Sequence, residues 1–328
     1  MESKIISAFM FSEPHEQDLL WLKFNIENNF VTEWIITESH YTFQGKRKPI
    51  YLKEILNQER FAPFRDKVHY IEINRNYHIE FEPDFLEVIK RKIKRCLNKH
   101  FDKNYEFVTY SELASFHAEI NQRQACVDYI TKKYNKNDIV LLCDADEMFD
   151  FNNGKINDFN KIVKQNTTPF YLKREIFCYD FDNYTNRKRY NPIVKVLDLT
   201  KNKTIQILKH PTDKNSRKII QIGNEKFIFE YTFCFSKEAI TKKLNSFAHV
   251  TDLNQNDLDF CFANNISMIS PDKIDDNHLK NKEFFYSKLT LDETNSPKFV
   301  RDNFEKIRTG VVNENYLITR KENNLNVI

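Results

Sequence analysis

Three acidic residues follow directly after a short apolar run in the middle of the chain. The run comprises residues 139–143, and the acids are Asp144, Asp146 and Glu147. A short apolar run bounded by polar residues is typical of a strand that is covered on both faces. Ligands of open α/β sheets gather where such strands end, and two carboxylates one residue apart can bind a hard divalent cation there. The cation's remaining sites suit phosphate oxygens. The alternative is a solvated acidic turn.

Arg123 lies on the apolar side of the helix predicted just before this strand. At 100° per residue it falls on the same stripe as Phe116, Ile120 and Val127. A buried guanidinium needs a carboxylate or phosphate partner. Two interpretations stay open: an i,i+4 ion pair with Glu119, or an anchor for a phosphate or carboxylate beside the acidic cluster.

A basic loop, residues 38–49, is the second segment that could bind a ligand. It leaves the end of a predicted strand and carries Lys46, Arg47 and Lys48 together with one glycine and two aromatic residues. Such a loop can stack a base and pair with a diphosphate, and we count Lys46 among the candidate donor-binding residues. The alternative is an exposed basic turn.

Two further features have simpler interpretations. His249 stands among polar residues after a predicted helix, and a lone histidine is more often a core or surface residue than a metal ligand. The segment 90–95 is basic with an apolar inner face, which indicates a solvated helix face. Peripheral contact of that face with an anionic membrane is the alternative.

Composition excludes several function classes. The four glycines are scattered, whereas a P-loop or dinucleotide fingerprint needs them clustered. The net charge of +3 indicates no nucleic-acid partner. The six cysteines show no ligand spacing and are typical of small core residues in a reducing compartment. Because we find neither a cleavable leader nor an apolar window of about 20 residues, we expect a soluble, cytoplasmic protein.

Strands and helices alternate in the first half of the chain. Strands are predicted at 5–11, 30–37, 68–73 and 139–143, and helices at 15–29, 84–99 and 113–134. This order predicts an α/β fold with a mostly parallel central sheet. The second half is β-rich, with strands predicted at 170–177, 193–199, 204–208, 218–222 and 226–235 and a helix at 237–245. We therefore expect a single domain over 1–328, with nucleotide-type chemistry in 1–150 and the second substrate in 151–328.

Several short motifs occur in a fixed order. They are Asp18-Leu19-Leu20, Trp34-Ile35-Ile36-Thr37-Glu38-Ser39, Thr42-Phe43-x-Gly45-x-x-Lys48, Gln122-Arg123, Asp138-Ile139-Val140, Asp144-Ala145-Asp146-Glu147, and Lys243-Leu244-x-Ser246-Phe247-Ala248-His249. Over about residues 8–255 the ordered set resembles glycosyltransferase family 17, typified by the β-1,4-mannosyl-glycoprotein β-1,4-N-acetylglucosaminyltransferase. The resemblance implies a GT-A-like nucleotide-sugar fold, a UDP-sugar donor, Mn²⁺ or Mg²⁺ as the metal, and inversion at the anomeric carbon.

The resemblance also implies roles for individual residues. Asp144 and Asp146 match the metal and diphosphate motif, with His249 as a third metal ligand. The implied donor-side residues are Glu38, Lys48, Arg123 and Asp144. The chain departs from the family pattern at residues 227–231, where an aromatic-His stretch is expected, and we expect no membrane anchor of the kind that the animal relatives carry. A glycoprotein acceptor is therefore not assumed.

The expected function is metal-dependent transfer of a sugar, with GlcNAc as the expected group, from a UDP-sugar to the hydroxyl of a glycan or glycolipid-like acceptor. A base must take the proton of that hydroxyl, and the candidates are Asp252, Glu230 and Glu147. Two alternatives remain open. One is a catalytically degenerate module that binds carbohydrate or nucleotide sugar, and the other is a metal-dependent phosphohydrolase.

Overall fold

The computed structural model describes residues 3–82, 110–152, 154–201, 218–220, 226–234, 240, 243, 255–263, 286–292, 294–304 and 307. The strands are β1 (Ile5–Met10), β2 (Glu33–Ser39), β3 (Val68–Ile73), β4 (Ile139–Leu142), β5 (Glu147–Phe149), β6 (Phe170–Cys178), β7 (Asn183–Lys195), β8 (Ile219–Ile220), β9 (Ile228–Thr232) and β10 (Ser287–Lys288). The α-helices are α1 (Gln17–Glu27), α2 (Leu52–Asn57), α3 (Tyr110–Lys133), α4 (Lys155–Gln165), α5 (Val196–Lys201), α6 (Gln255–Ala263) and α7 (Lys298–Asp302). Short 3-10 helices lie at Pro14–Glu16 and Glu59–Lys67.

The first four strands form the parallel part of the sheet. Their order is β3-β2-β1-β4, and each neighbouring pair is parallel. Met10 pairs with Thr37, and Ala8 with Leu142, so β1, β2 and β4 end at the same edge. The four strands predicted in this half are therefore present as parallel neighbours, and the loops after β1, β2 and β4 meet at one edge.

The sheet as a whole is mixed. β7 pairs antiparallel with β4 and with β6, and β9 runs parallel to β6 but antiparallel to β5. A mostly parallel sheet is therefore found only in the first half. The fold is mixed α/β, and the β-rich character of the second half agrees with the prediction from the sequence.

Two predicted strands are partly wrong, and residues 183–192 of β7 were not predicted to be extended. The strand predicted at 30–37 spans Glu33–Ser39. Residues 193–199 were expected to be extended, but β7 ends at Lys195 and Val196–Lys201 is helical. The cause is local, because the Asp198 carboxylate accepts the backbone N–H of Lys195 at 2.8 Å and begins the helical turn. A further strand, β5, has only three residues and gave no pattern. The predicted helix 84–99 with its basic segment 90–95, the strand 204–208 and most of the helix 237–245 lie outside the described residues.

Apolar side chains cover both faces of the parallel strands. Successive residues of a strand point to opposite faces, so Ile5 and Phe9 of β1 join one cluster while Ile6 and Ala8 join another. The first cluster packs on α1 and the second on α3. The cysteines of the described segments are buried, as predicted for small core residues, and none of them forms a disulfide. None of the helices described here is long and apolar enough to span a bilayer.

Candidate active site

The acidic loop, residues 144–147, begins where the buried strand β4 ends. It is a tight turn in which the Glu147 N–H donates to the Asp144 carbonyl at 3.1 Å. The Glu147 side chain closes the turn by accepting the Asp144 N–H at 2.9 Å. The turn leaves the Asp144 side chain 35% exposed and that of Asp146 13% exposed. Both carboxylates therefore remain accessible at the edge where β1, β2 and β4 end.

Arg123 of α3 is the ionic partner of Asp144. Its Nη1 lies 2.5 Å from the Asp144 carboxylate, and its Nη2 lies 2.8 Å from Glu119. The i,i+4 pair with Glu119 is therefore present, and the same guanidinium also contacts a carboxylate of the acidic loop, while its role as an anchor for a ligand stays a prediction. Burial disfavours the charged guanidinium, but attraction to Asp144 and Glu119 outweighs burial and raises the pKa of Arg123.

Lys243 is the ionic partner of Asp146. Its Nζ lies 3.6 Å from Asp146 and 3.3 Å from Glu16, and 5.8 Å from the centre of the Phe233 ring. Burial opposes the charge of this ammonium, but Asp146 and Glu16 raise the pKa of Lys243. The sequence showed Lys243 as part of a motif, but nothing in its spacing revealed this contact with the acidic loop.

Glu147 points away from solvent and is held by several partners. Its side chain is 2% exposed, pairs with Arg174 of β6, and accepts a hydrogen bond from Asn191 of β7 at 2.5 Å. Arg174 also pairs with Glu230 of β9, with its Nε at 2.8 Å. Two of the three candidate bases therefore share one arginine. Sequence reasoning missed Arg174 and Asn191, because contacts between distant strands leave no local pattern.

A buried lysine donates a hydrogen bond to the backbone of the acidic loop. Lys23 of α1 has no exposed side-chain surface, and its Nζ donates to the Glu147 carbonyl at 2.5 Å and lies 2.7 Å from Glu27. Burial opposes the charge of Lys23, but Cys143 and Glu27 raise its pKa. Glu27 in turn accepts hydrogen bonds from the Trp34 indole and the Phe149 N–H. The i,i+4 spacing of Lys23 and Glu27 inside the apolar stripe was a signal that could have identified this pair.

Glu38 lies at the end of β2 and is fully buried. Its carboxylate accepts the backbone N–H groups of Tyr51 and Leu52 at 2.9 Å each and lies 3.2 Å from the Lys48 ammonium. The Tyr70 hydroxyl donates to it at 3.4 Å. Glu38 thus fixes both the start of α2 and the position of Lys48.

The basic loop folds as a small hairpin. Tyr41 and Arg47 form a bridge, and the Lys48 N–H donates to the His40 carbonyl at 2.8 Å. Gly45 has a φ of +79°, and a Cβ there would lie 3.0 Å from the His78 ring, so this turn requires glycine. Lys46 lies exposed at the tip of the hairpin.

The structure brings several of the predicted site residues together. Arg123 contacts Asp144 directly, and Glu147 and Glu230 are joined through Arg174. Glu38, Lys46 and Lys48 lie on the loop at the same sheet edge. His249 and Asp252 lie outside the described residues, and within the part of the chain that is described no group of three or more His, Cys, Asp or Glu side chains could hold a metal ion.

A small crevice lies beside the acidic loop. It is lined by Ala8, Phe9, Met10, Arg123, Cys126, Leu142 and Cys143. It opens between the ends of β1 and β4 and the side of α3, where ligands of open α/β sheets bind. The adjoining Asp144 and Asp146 carboxylates are hard oxygen donors of the kind that Mn²⁺ and Mg²⁺ prefer, so the donor set fits a divalent cation.

Comparison with known proteins supports a family assignment. No curated protein matches the chain. The model of glycosyltransferase family 17 matches residues 1–106, which contain Lys23, Glu38 and the basic loop but not the acidic loop. A match to this family indicates a transferase that moves glycosyl groups. It supports membership of the chain in glycosyltransferase family 17.

Proposed function

We propose that the protein is a metal-dependent, inverting glycosyltransferase that transfers GlcNAc from UDP-GlcNAc to a hydroxyl of a glycan or glycolipid-like acceptor. The observation that carries this proposal is the placement of Asp144 and Asp146 at the end of a buried parallel strand, flanked by Arg123 and Lys243. The family match over residues 1–106 supports glycosyl transfer as the reaction class. A GT-A-like arrangement of the first half belongs to the same proposal.

The donor lies, in this proposal, across the crevice and the acidic loop. Asp144 and Asp146 would hold Mn²⁺ or Mg²⁺, and His249 would be a third ligand. The metal, when bound, supplies Lewis-acid stabilisation of the charge that develops on the diphosphate. Arg123 adds a fixed positive charge beside it, which needs no reorganisation during the reaction. Lys46 and Lys48 approach the donor from the hairpin, and Glu38 acts through the Lys48 ammonium that it holds.

The acceptor approaches from the side of β9. Inversion requires a base that takes the hydroxyl proton while the oxygen attacks opposite the departing UDP. Asp252 and Glu230 are the proposed bases. Glu147 was the third candidate, but its buried carboxylate is occupied by Arg174, Asn191 and a backbone N–H, which favours a positioning role. Alignment of the two sugars contributes a large share of the rate.

The remaining partners also belong to the proposal. We assign the reaction to the cytoplasm, with the basic segment 90–95 as a peripheral contact with an anionic membrane surface and no nucleic-acid partner. The reaction type requires an acceptor with a free hydroxyl. The individual acceptor is to be identified by screening.

A transfer assay tests the proposed reaction. The protein is incubated with UDP-GlcNAc and Mn²⁺, with and without a panel of oligosaccharide and glycolipid acceptors, and UDP release and product mass are measured. Acceptor-dependent UDP release with a product heavier by one GlcNAc is expected. Phosphoester cleavage that needs no acceptor would instead favour a phosphohydrolase, and donor binding without product would favour a binding module.

A further inference from the structure

The Lys243 ammonium is the resident counter-ion of Asp146. It is enclosed by two carboxylates, Asp146 at 3.6 Å and Glu16 at 3.3 Å, and by the Phe233 ring at 5.8 Å. Its side chain is largely buried. A buried ammonium of this kind neutralises carboxylates that would otherwise repel each other.

Arg123 neutralises Asp144 in the same manner, so each acid of the Asp-x-Asp pair faces a cation of the chain. A divalent ion bound to both carboxylates would stand close to the positive charges of Arg123 and Lys243. Repulsion between a divalent and a monovalent cation about 4 Å apart amounts to several kcal/mol even at an effective dielectric constant of about 20. An anion that enters together with the ion removes this penalty, and a diphosphate has the required charge.

The side chains of Arg123 and Lys243 differ in how far they can move when a divalent cation binds. Arg123 is fixed by a planar guanidinium that also contacts Glu119 at two nitrogens, at 3.2 and 2.8 Å. Lys243 is a compact charge on a flexible four-carbon stem, so rotation of the stem can turn its ammonium towards another partner. Lys243 is therefore the residue that can leave Asp146 when another cation arrives.

We propose that Lys243 is a diphosphate-binding residue whose ammonium passes from Asp146 to the donor when a divalent cation binds the acidic loop. The inference rests on the proposed function and adds to it a coupling between metal binding and donor binding. Metal and nucleotide diphosphate bind together, and each raises the affinity of the site for the other by the same factor.

Calorimetric titration of the whole chain tests this coupling. Mn²⁺ is titrated in the absence and presence of saturating UDP, and UDP in the absence and presence of Mn²⁺. For the wild type, UDP is expected to strengthen Mn²⁺ binding at least about tenfold, within the usual range of coupling between sites. Equal Mn²⁺ affinity with and without UDP would overturn the proposal.

Variants at position 243 separate the two roles of the ammonium. K243Q frees Asp146 from its counter-ion, so Mn²⁺ alone is expected to bind more tightly than to the wild type, while UDP binding weakens and the coupling falls. K243R retains the charge and is expected to retain most of the coupling. The matched control is K288Q, because Lys288 also bridges two carboxylates, Asp180 and Asp182, but away from the acidic loop.

The outcomes distinguish this inference from the proposed function. If no variant binds UDP, the proposed donor is wrong, but tighter Mn²⁺ binding by K243Q would still identify Lys243 as the counter-ion of Asp146. If K243Q binds Mn²⁺ and UDP as the wild type does, while its thermal unfolding shows an intact fold, the role of Lys243 is overturned.

Discussion

Asp146 is the residue whose loss should separate chemistry from folding most cleanly. Its side chain is partly exposed and pairs with Lys243, while its backbone carbonyl accepts the Tyr231 N–H at 2.9 Å whatever the side chain. D146N keeps the size and the backbone contact but removes the charge. We expect kcat/KM to fall at least about a hundredfold, as when a preorganised electrostatic contact is removed, with little change in Tm.

The control for D146N is D158N. Asp158 lies on α4 and pairs with Lys161 on an exposed helix face, so its substitution changes the charge equally without touching the acidic loop. Activity is measured as UDP release in the presence of an accepted acceptor. Wild-type activity in D146N would remove the basis for a role of the acidic loop in catalysis.

Glu147 and Glu230 should behave differently when each is changed to glutamine. Glu147 is buried against Arg174 and Asn191, so E147Q weakens these contacts, but Arg174 keeps its ion pair with Glu230. The free energy of unfolding is expected to fall by about 1–3 kcal/mol. Glu230 is more exposed, and E230Q is expected to lower kcat with a smaller loss of stability. Denaturant unfolding and initial rates are measured on both variants.

The pattern across the two variants decides the roles. A base is expected to show its effect in kcat and in the acid limb of the pH–rate profile, whereas a positioning residue shows it in stability first. A stable E147Q protein with strongly reduced kcat would mean that Glu147, and not Glu230, acts on the acceptor.

At the scale of elements, α1 is fastened to the acidic loop by a buried ion pair. Lys23 and Glu27 are fully buried, and together they contact β2, β5 and the Glu147 carbonyl. K23M leaves the Glu27 carboxylate buried without its cation and is expected to lower the free energy of unfolding by about 3–5 kcal/mol. Denaturant-induced unfolding measures this change.

A double variant and a surface control complete that test. K23M/E27Q removes both charges, although the amide oxygen can accept only one of the two N–H groups, of Trp34 and Phe149, that the two carboxylate oxygens of Glu27 accept. It is expected to be more stable than K23M alone and less stable than the wild type. K161M breaks an exposed pair and is expected to cost no more than about 1 kcal/mol. A K23M protein as stable as K161M would show that the buried pair does not hold the elements together.

Glu33 joins the start of β2 to β1 and to α3, and this contact should make stability depend on pH. Burial raises the pKa of Glu33, but hydrogen bonds from Lys4, Tyr134 and Lys133 outweigh it and lower the value from 4.5 to about 2. The stabilisation is therefore fully present above pH 4.5 and is lost as the pH falls toward 2.

The comparison of wild type with E33Q isolates this contribution. Denaturant midpoints are measured between pH 5 and pH 3. The wild type is expected to lose more stability over this interval than E33Q, since the glutamine has no proton to bind. Parallel loss in both proteins would assign the acid sensitivity to other carboxylates.

At the scale of the whole molecule, local patterns predicted the first half of the fold well. The prediction of β3 matches the structure, and those of β1 and β4 extend one residue too far, because buried strands leave continuous apolar runs. The strand predicted at 30–37 is Glu33–Ser39 in the structure, so both of its ends were misplaced. The antiparallel return of β7 beside β4 was not predicted, since strand pairing over long separations is set by tertiary packing. The helix at Val196–Lys201 was not predicted, because its β-branched and apolar residues favour a strand. The hydrogen bond from the Lys195 N–H to the Asp198 carboxylate, which starts the helix, is not visible in the sequence.

The sequence predicted which acidic and basic residues form the candidate site, but it did not predict all of the side chains that pair with them. Asp144, Asp146 and Arg123 could be found from a strand that ends in acids and from a cation on an apolar stripe. Lys243 and Arg174 could not be placed, because each reaches the acidic loop from a distant part of the chain. Lys23 could have been identified in the same way as Arg123, since it is also a cation on the apolar side of a predicted helix.

Thermal unfolding against a panel of nucleotides tests the proposed donor most directly. UDP, GDP, ADP and CMP are added to the wild type and to D144N, each with Mn²⁺ and with EDTA. UDP with Mn²⁺ is expected to raise Tm selectively, because a ligand at a hundred times its Kd stabilises the fold by about 2.7 kcal/mol, and EDTA or D144N should abolish the rise. An unchanged Tm with UDP and Mn²⁺, or equal shifts with all four nucleotides, would contradict a UDP-sugar transferase.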